Sequence, residues 1–129
     1  MMNALPFGLP AAAVEKICTV FSFHPEVQKA VLYGSRAKGN YKAGSDIDLT
    51  MYGDSLNHTI LLKILDELDD LLLPWLIDLS IFKQIDNVSL LEHIERVGVV
   101  FYQRDGGAVD SSIPGTQYQL STVNRVEGD

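Results

Sequence analysis

Residues 32 to 49 read Leu-Tyr-Gly-Ser-Arg-Ala-Lys-Gly-Asn-Tyr-Lys-Ala-Gly-Ser-Asp-Ile-Asp-Leu. An apolar strand runs into Gly34-Ser35, a basic connection with glycines follows, and a second strand opens at Asp46-Ile47-Asp48. Side chains two apart on a strand share a face, so Asp46 and Asp48 project together while Ile47 and Leu49 face the other way. Paired carboxylates with no cationic neighbour in sequence are costly unless they hold cations. A Gly-Ser turn before a short helix offers backbone N–H groups and a hydroxyl to an anion. Anion on one side and divalent metal on the other is the chemistry of a nucleoside triphosphate held through Mg²⁺.

The charge pattern around this stretch points the same way. The chain is acidic, with net charge −7, yet no acid lies between Glu26 and Asp46, where Lys29, Arg36, Lys38 and Lys42 fall. A basic loop set just before two aspartates suits a polyanion better than a plain solvated surface. The overall negative charge argues against nucleic-acid binding through the whole surface, so no direct nucleic-acid partner is expected. At 129 residues, with 47% apolar and 21% charged residues, the chain fits one globular domain. No apolar run reaches the roughly 18 residues that span a bilayer, and no signal-peptide pattern opens the chain. Cys18 is the only cysteine. Internal disulfides are therefore ruled out, and a cytoplasmic location without membrane contact is expected.

Periodicity organises the remainder. Val14, Ile17, Cys18 and Phe21 recur at helical spacing over residues 10 to 23, which places Cys18 in the core. Strands are expected over 29–33 and 46–52, joined by about one turn of helix at 35–38. Residues 57 to 73 read as an amphipathic helix capped by Asn57, with Ile60, Leu61, Ile64, Leu65, Leu68, Leu71 and Leu72 on its apolar stripe and Pro74 ending it. Asp66, Glu67, Asp69 and Asp70 make the opposite face, read as solvated, with a docking surface for a basic partner as the alternative. A third strand covers 76–82 and carries Asp78; paired beside the second strand, it would bring Asp78 next to Asp46 and Asp48. Three such carboxylates could hold two Mg²⁺ ions about 3.5–4 Å apart. Ser89 to Glu92 matches a capping box ahead of a helix whose apolar face is Leu90, Leu91, Ile94 and Val97, and a fourth strand follows over 99–102. His24, His58 and His93 have no ligand spacing and are read as structural or solvent-facing; Trp75 is read as core. Composition shifts after Arg104, which divides the chain into a domain over 1–104 and a tail over 105–129 rich in Gly, Ser, Thr and Asp.

Gly34-Ser35, ten residues, Asp46-Ile47-Asp48 and a third acid on a later strand together resemble the nucleotidyltransferase (DNA polymerase β-like) superfamily. The Gly-Ser-Arg-Ala-Lys-Gly and Ser-Asp-Ile-Asp-Leu segments are similar to its small branch, the minimal nucleotidyltransferases paired with HEPN-domain proteins as antitoxin and toxin. The likeness runs from about residue 12 to residue 103. It implies an α/β (α+β) fold, a mixed four-stranded sheet with flanking helices. It also implies Mg-ATP in the cleft: Gly34 and Ser35 at the phosphates, Arg36 and Lys38 near the triphosphate, Asp46 and Asp48 on both metals, and Asp78 completing the site. The implied activity is transfer of AMP from ATP to a tyrosine of a HEPN ribonuclease toxin. Because the catalytic core uses up the domain, the acceptor is expected on another protein. A binding-only antitoxin and a small-molecule nucleotidyltransferase are the competing readings.

Overall fold

The computed structural model describes residues 6–104. Helix α1, Ala11–Ser22, starts after an extended Pro10 that suits a helix entry. Strand β1, Lys29–Tyr33, leads into the short helix α2, Gly34–Lys38, which closes on a left-handed Gly39 at φ 91°. Strand β2, Ile47–Tyr52, follows the basic loop, then helix α3, His58–Asp69, and strand β3, Ile77–Ile81. Helix α4, Val88–Val97, and strand β4, Val99–Gln103, complete the described chain.

The strands form one mixed sheet in the order β3-β2-β1-β4, with β1 antiparallel to both β2 and β4, and β2 parallel to β3. A parallel pair needs a crossover, and α3 supplies it. Alternation along the strands divides the sheet into two unlike faces. Ala30, Leu32, Ile47, Leu49, Met51, Leu79 and Ile81 meet residues of α1 and α3 in the main core. On the other face Val31, Tyr33 and Ile94 form a smaller cluster under α4. Beyond that cluster the second face turns polar, with Asp48, Thr50, Asp78 and Ser80 in adjacent positions on β2 and β3.

Two expectations about helix ends need correction. Helix α3 stops at Asp69, well before Pro74, and the chain closes with Leu71 N–H to the Leu68 carbonyl and Leu72 N–H to the Asp69 carbonyl. Leu72 leaves the expected stripe: its φ is 56° and it is 86% exposed. Three acids, Asp66, Glu67 and Asp69, crowd the last turn and Asp70 is the C-cap, where the helix dipole is itself negative, so that end has little to gain from continuing. The capping box at Ser89 is not used. Asn87 caps α4 instead, its side chain accepting from Leu90 N–H at 3.0 Å, so Ser89 falls inside the first turn. Trp75 is half-buried and packs against the main core as expected, and its indole N–H also donates to the Ala43 carbonyl, which makes it a brace for the basic loop.

Other readings hold. Cys18 is buried, with its thiol against the Phe101 carbonyl. His24 is buried and lies 2.7 Å from Glu67, which corrects the expected solvated face of α3 at one position: Glu67 belongs to a tertiary contact. Arg104, where the composition changes, ties the end of β4 back to the α1 region through the carbonyls of Phe21, Ser22, His24 and Val27. The expected tail over 105–129 lies outside the described residues. Among those residues no helix is long and apolar enough to cross a membrane.

Leu68 and Leu72 should respond oppositely to truncation. Leu68, 3% exposed, faces the core, so Leu68→Ala should lower stability by about 2–4 kcal/mol in denaturant unfolding. Leu72→Gly should cost nothing beyond about 0.5 kcal/mol, because glycine relieves the positive φ that leucine bears there.

Candidate active site

Strand register assembles the acidic row. Tyr33 on β1 lies opposite Asp48 on β2, and Asp48 lies opposite Asp78 on β3. These residues alternate with core-facing neighbours, so all three project from the polar face. Asp46 precedes β2 by one residue and is exposed, as is Asp78, while Asp48 is half-buried. Burial, followed by the charges of Asp78 and Asp46, pushes the Asp48 carboxyl up to about 6. Tyr33 is raised above the usual phenol range by burial and then by the charge of Asp78. The carboxylates therefore feel one another, as a cation site requires. One step further along the same face, Ser80 Oγ donates to Thr50 Oγ1 at 2.9 Å, giving the acids a hydroxyl floor.

Gly34 sets the near wall. It begins α2 at φ 76°, where only glycine is unstrained, and a β-carbon built on it would collide with Asp48 Oδ2. The backbone thus passes directly against the carboxylate. Ser35 is half-buried in the first turn of α2, and Lys38 is exposed in its last turn. The Gly34 N–H donates to His93 Nε2 at 3.1 Å, and the His93 ring meets Tyr33 edge-on.

Arg36 is taken up by its own loop. It is 2% exposed. Its Nε donates to the Ser45 carbonyl at 3.0 Å, and its terminal nitrogens to the carbonyls of Phe7, Lys42 and Ala43. The rings of Tyr41 and Trp75 flank the guanidinium. A fork of five donors suits a cluster of loop carbonyls, and a side chain so engaged is not free for a phosphate. Gripping Ser45 sets the residue just before Asp46, and Ser45 Oγ also accepts from Lys42 N–H at 2.8 Å. Arg36 therefore shapes the loop that delivers the aspartate.

The residues present fit divalent cations by chemistry. All-oxygen donors of like charge stand in register, and a glycine cradle that any side chain would fill lies against one of them. Among the described residues no three ligating side chains are already gathered into a cage. Asp46, Asp48 and Asp78 are brought to one end of one face, together with Gly34; Arg36 is not brought to that face. Sequence reasoning missed His93 and the Thr50–Ser80 pair. The pair could have been read from period two, since each residue lies two positions beyond an aspartate of the row. His93 left no local signal, because its partner is 59 positions away.

The family model described as Polymerase beta, Nucleotidyltransferase matches residues 15–106. No curated protein matches the chain. Among the solved structures it resembles is a toxin–antitoxin complex with AMP-PNP, at 18% identity and TM-score 0.59, covering 87% of this chain and 85% of that one. An MntA-HepT toxin–antitoxin structure matches at 16% identity and TM-score 0.56, covering 90% and 86%. A tri-AMPylated Shewanella oneidensis HEPN toxin in complex with MNT antitoxin matches at 17% identity and TM-score 0.54, covering 88% and 80%. At such identities the likeness is one of fold, the mixed sheet with flanking helices expected from the motif.

Two predictions follow from the geometry. An acid raised in the folded state is penalised above its folded value, and the penalty fades as pH falls through about 6. Asp48→Asn should therefore raise the metal-free unfolding midpoint at pH 7.5 by about 3 °C, a gain that shrinks toward pH 5. Mg²⁺ should raise the midpoint of the wild type and not that of the variant. Arg36→Met should cost about 2–3 kcal/mol in chemical unfolding by stranding its carbonyl partners, while Lys38→Met should stay within about 0.5 kcal/mol.

Proposed function

The chain belongs to the polymerase beta nucleotidyltransferase family, and on that premise we propose that it is a protein adenylyltransferase that silences a HEPN-domain toxin. Its substrates are ATP with Mg²⁺, two ions in the full site, and a tyrosine hydroxyl on the toxin. The observation that carries this reading is the register of Asp48 against Asp78 with the Gly34 backbone turned onto Asp48. The AMP-PNP complex and the AMPylated HEPN toxin among the similar folds support the choice of nucleotide and partner.

When bound, magnesium neutralises the phosphate charge and polarises the phosphorus under attack. Asp46 and Asp48 would hold the ions, with Asp78, opposite Asp48 on β3, as the further carboxylate. Ser35, with its N–H and hydroxyl, and the exposed Lys38 meet the phosphates. The tyrosine oxygen bonds to the α-phosphorus as the bond to the bridging oxygen breaks, and pyrophosphate leaves. The phenolic proton passes to the Asp78 carboxylate. Such chemistry needs alignment and charge neutralisation more than covalent help. Asp46 and Asp78 are exposed on the open sheet face, a site suited to a side chain presented by another protein.

Labelled ATP with Mg²⁺ should transfer AMP to the co-expressed toxin. Asp46→Ala with Asp48→Ala should reduce transfer at least a thousandfold (about 4 kcal/mol). If cells carrying that variant still survive the toxin, protection comes from binding alone and the enzymatic reading is wrong.

A further inference from the structure

Gly34 presents a mechanical problem. The site needs its backbone against Asp48, and glycine alone allows the approach, yet glycine is also the residue least able to hold one conformation. The local side chains offer no cap. Tyr33, at the N-cap position of α2, makes no side-chain capping hydrogen bond. The restraint comes from a distant element. His93 on α4 accepts the Gly34 N–H through Nε2 at 3.1 Å, and its ring packs edge-on against Tyr33 with centroids 6.0 Å apart. Two consecutive residues at the junction of β1 and α2 are thus gripped by one imidazole, which α4 presents from its packing on β1 and α2.

We infer that His93 is a positioning residue of the transfer site, holding the Gly34 peptide plane and so setting the spacing between the phosphate turn and Asp48. The inference rests on the nucleotide-binding reading above and sharpens it. Accepting from an N–H requires a lone pair on Nε2, so the ring proton sits on Nδ1. The Gly34 N–H is then taken, and phosphate contacts fall to Ser35. Glycine supplies the freedom to reach Asp48, and His93 removes the freedom that remains.

The test uses the full chain. In ¹⁵N-labelled protein, a scalar coupling across the hydrogen bond should connect Gly34 N to His93 Nε2; its absence overturns the inference. Calorimetric titration with Mg-ATP then compares His93→Gln, whose amide oxygen reaches about as far as Nε2, with His93→Leu. The leucine variant should bind about tenfold more weakly and the glutamine variant within about threefold of wild type. Wild-type affinity in the leucine variant, or equal loss in both, overturns the positioning role. A wild type that does not bind Mg-ATP sinks the nucleotide reading itself, and the positioning role with it.

Discussion

The structure turns on a carboxylate held where a carboxylate is unwelcome. Asp48 is half-buried, lies opposite Asp78 across a parallel strand pair, and has the Gly34 backbone pressed against its oxygen. Burial and like charge both raise the cost of ionisation. A fold selected for stability alone would place an asparagine or a threonine there, as it does one step along the same strands with Thr50 and Ser80. The strain is electrostatic, and a divalent cation bound there would relieve it. That is why local instability at this row reads as function.

The rest of the molecule holds that row still. The main core on the opposite face fixes β2 through Ile47, Leu49 and Met51, all fully buried, so the aspartates sit on a rigid strand. Arg36 does the equivalent work for the loop, its buried guanidinium donating to the carbonyls of Phe7, Ala43 and Ser45. This accounts for a basic, glycine-bearing loop in an acidic chain in two parts. Arg36 is scaffold, while Lys38 and Lys42 are exposed and remain the cations a polyanion can meet.

How far the sequence disclosed this depends on range. Alternation in Asp46-Ile47-Asp48-Leu49 assigned the faces of β2, and the same period placed Asp78 on β3, because a strand's faces are a local property. The site motif was legible because its residues lie within 15 positions, Gly34 to Asp48. What escaped was tertiary. Nothing near Arg36 shows that it folds under its own loop, and nothing near His93 announces Gly34. Helix ends also escaped where two signals competed: Asn87 outranked Ser89 as a cap, and the acids at the end of α3 outweighed the apolar Leu71 and Leu72.

The central claim is that Asp48 and Asp78 share divalent metal beside a nucleotide. Anomalous scattering from crystals grown with Mn²⁺ and a non-hydrolysable ATP analogue tests it most directly. The account predicts a peak between the Asp48 and Asp78 carboxylates, with the analogue's phosphates against Ser35. A nucleotide bound elsewhere, or manganese bound away from this pair, would contradict it.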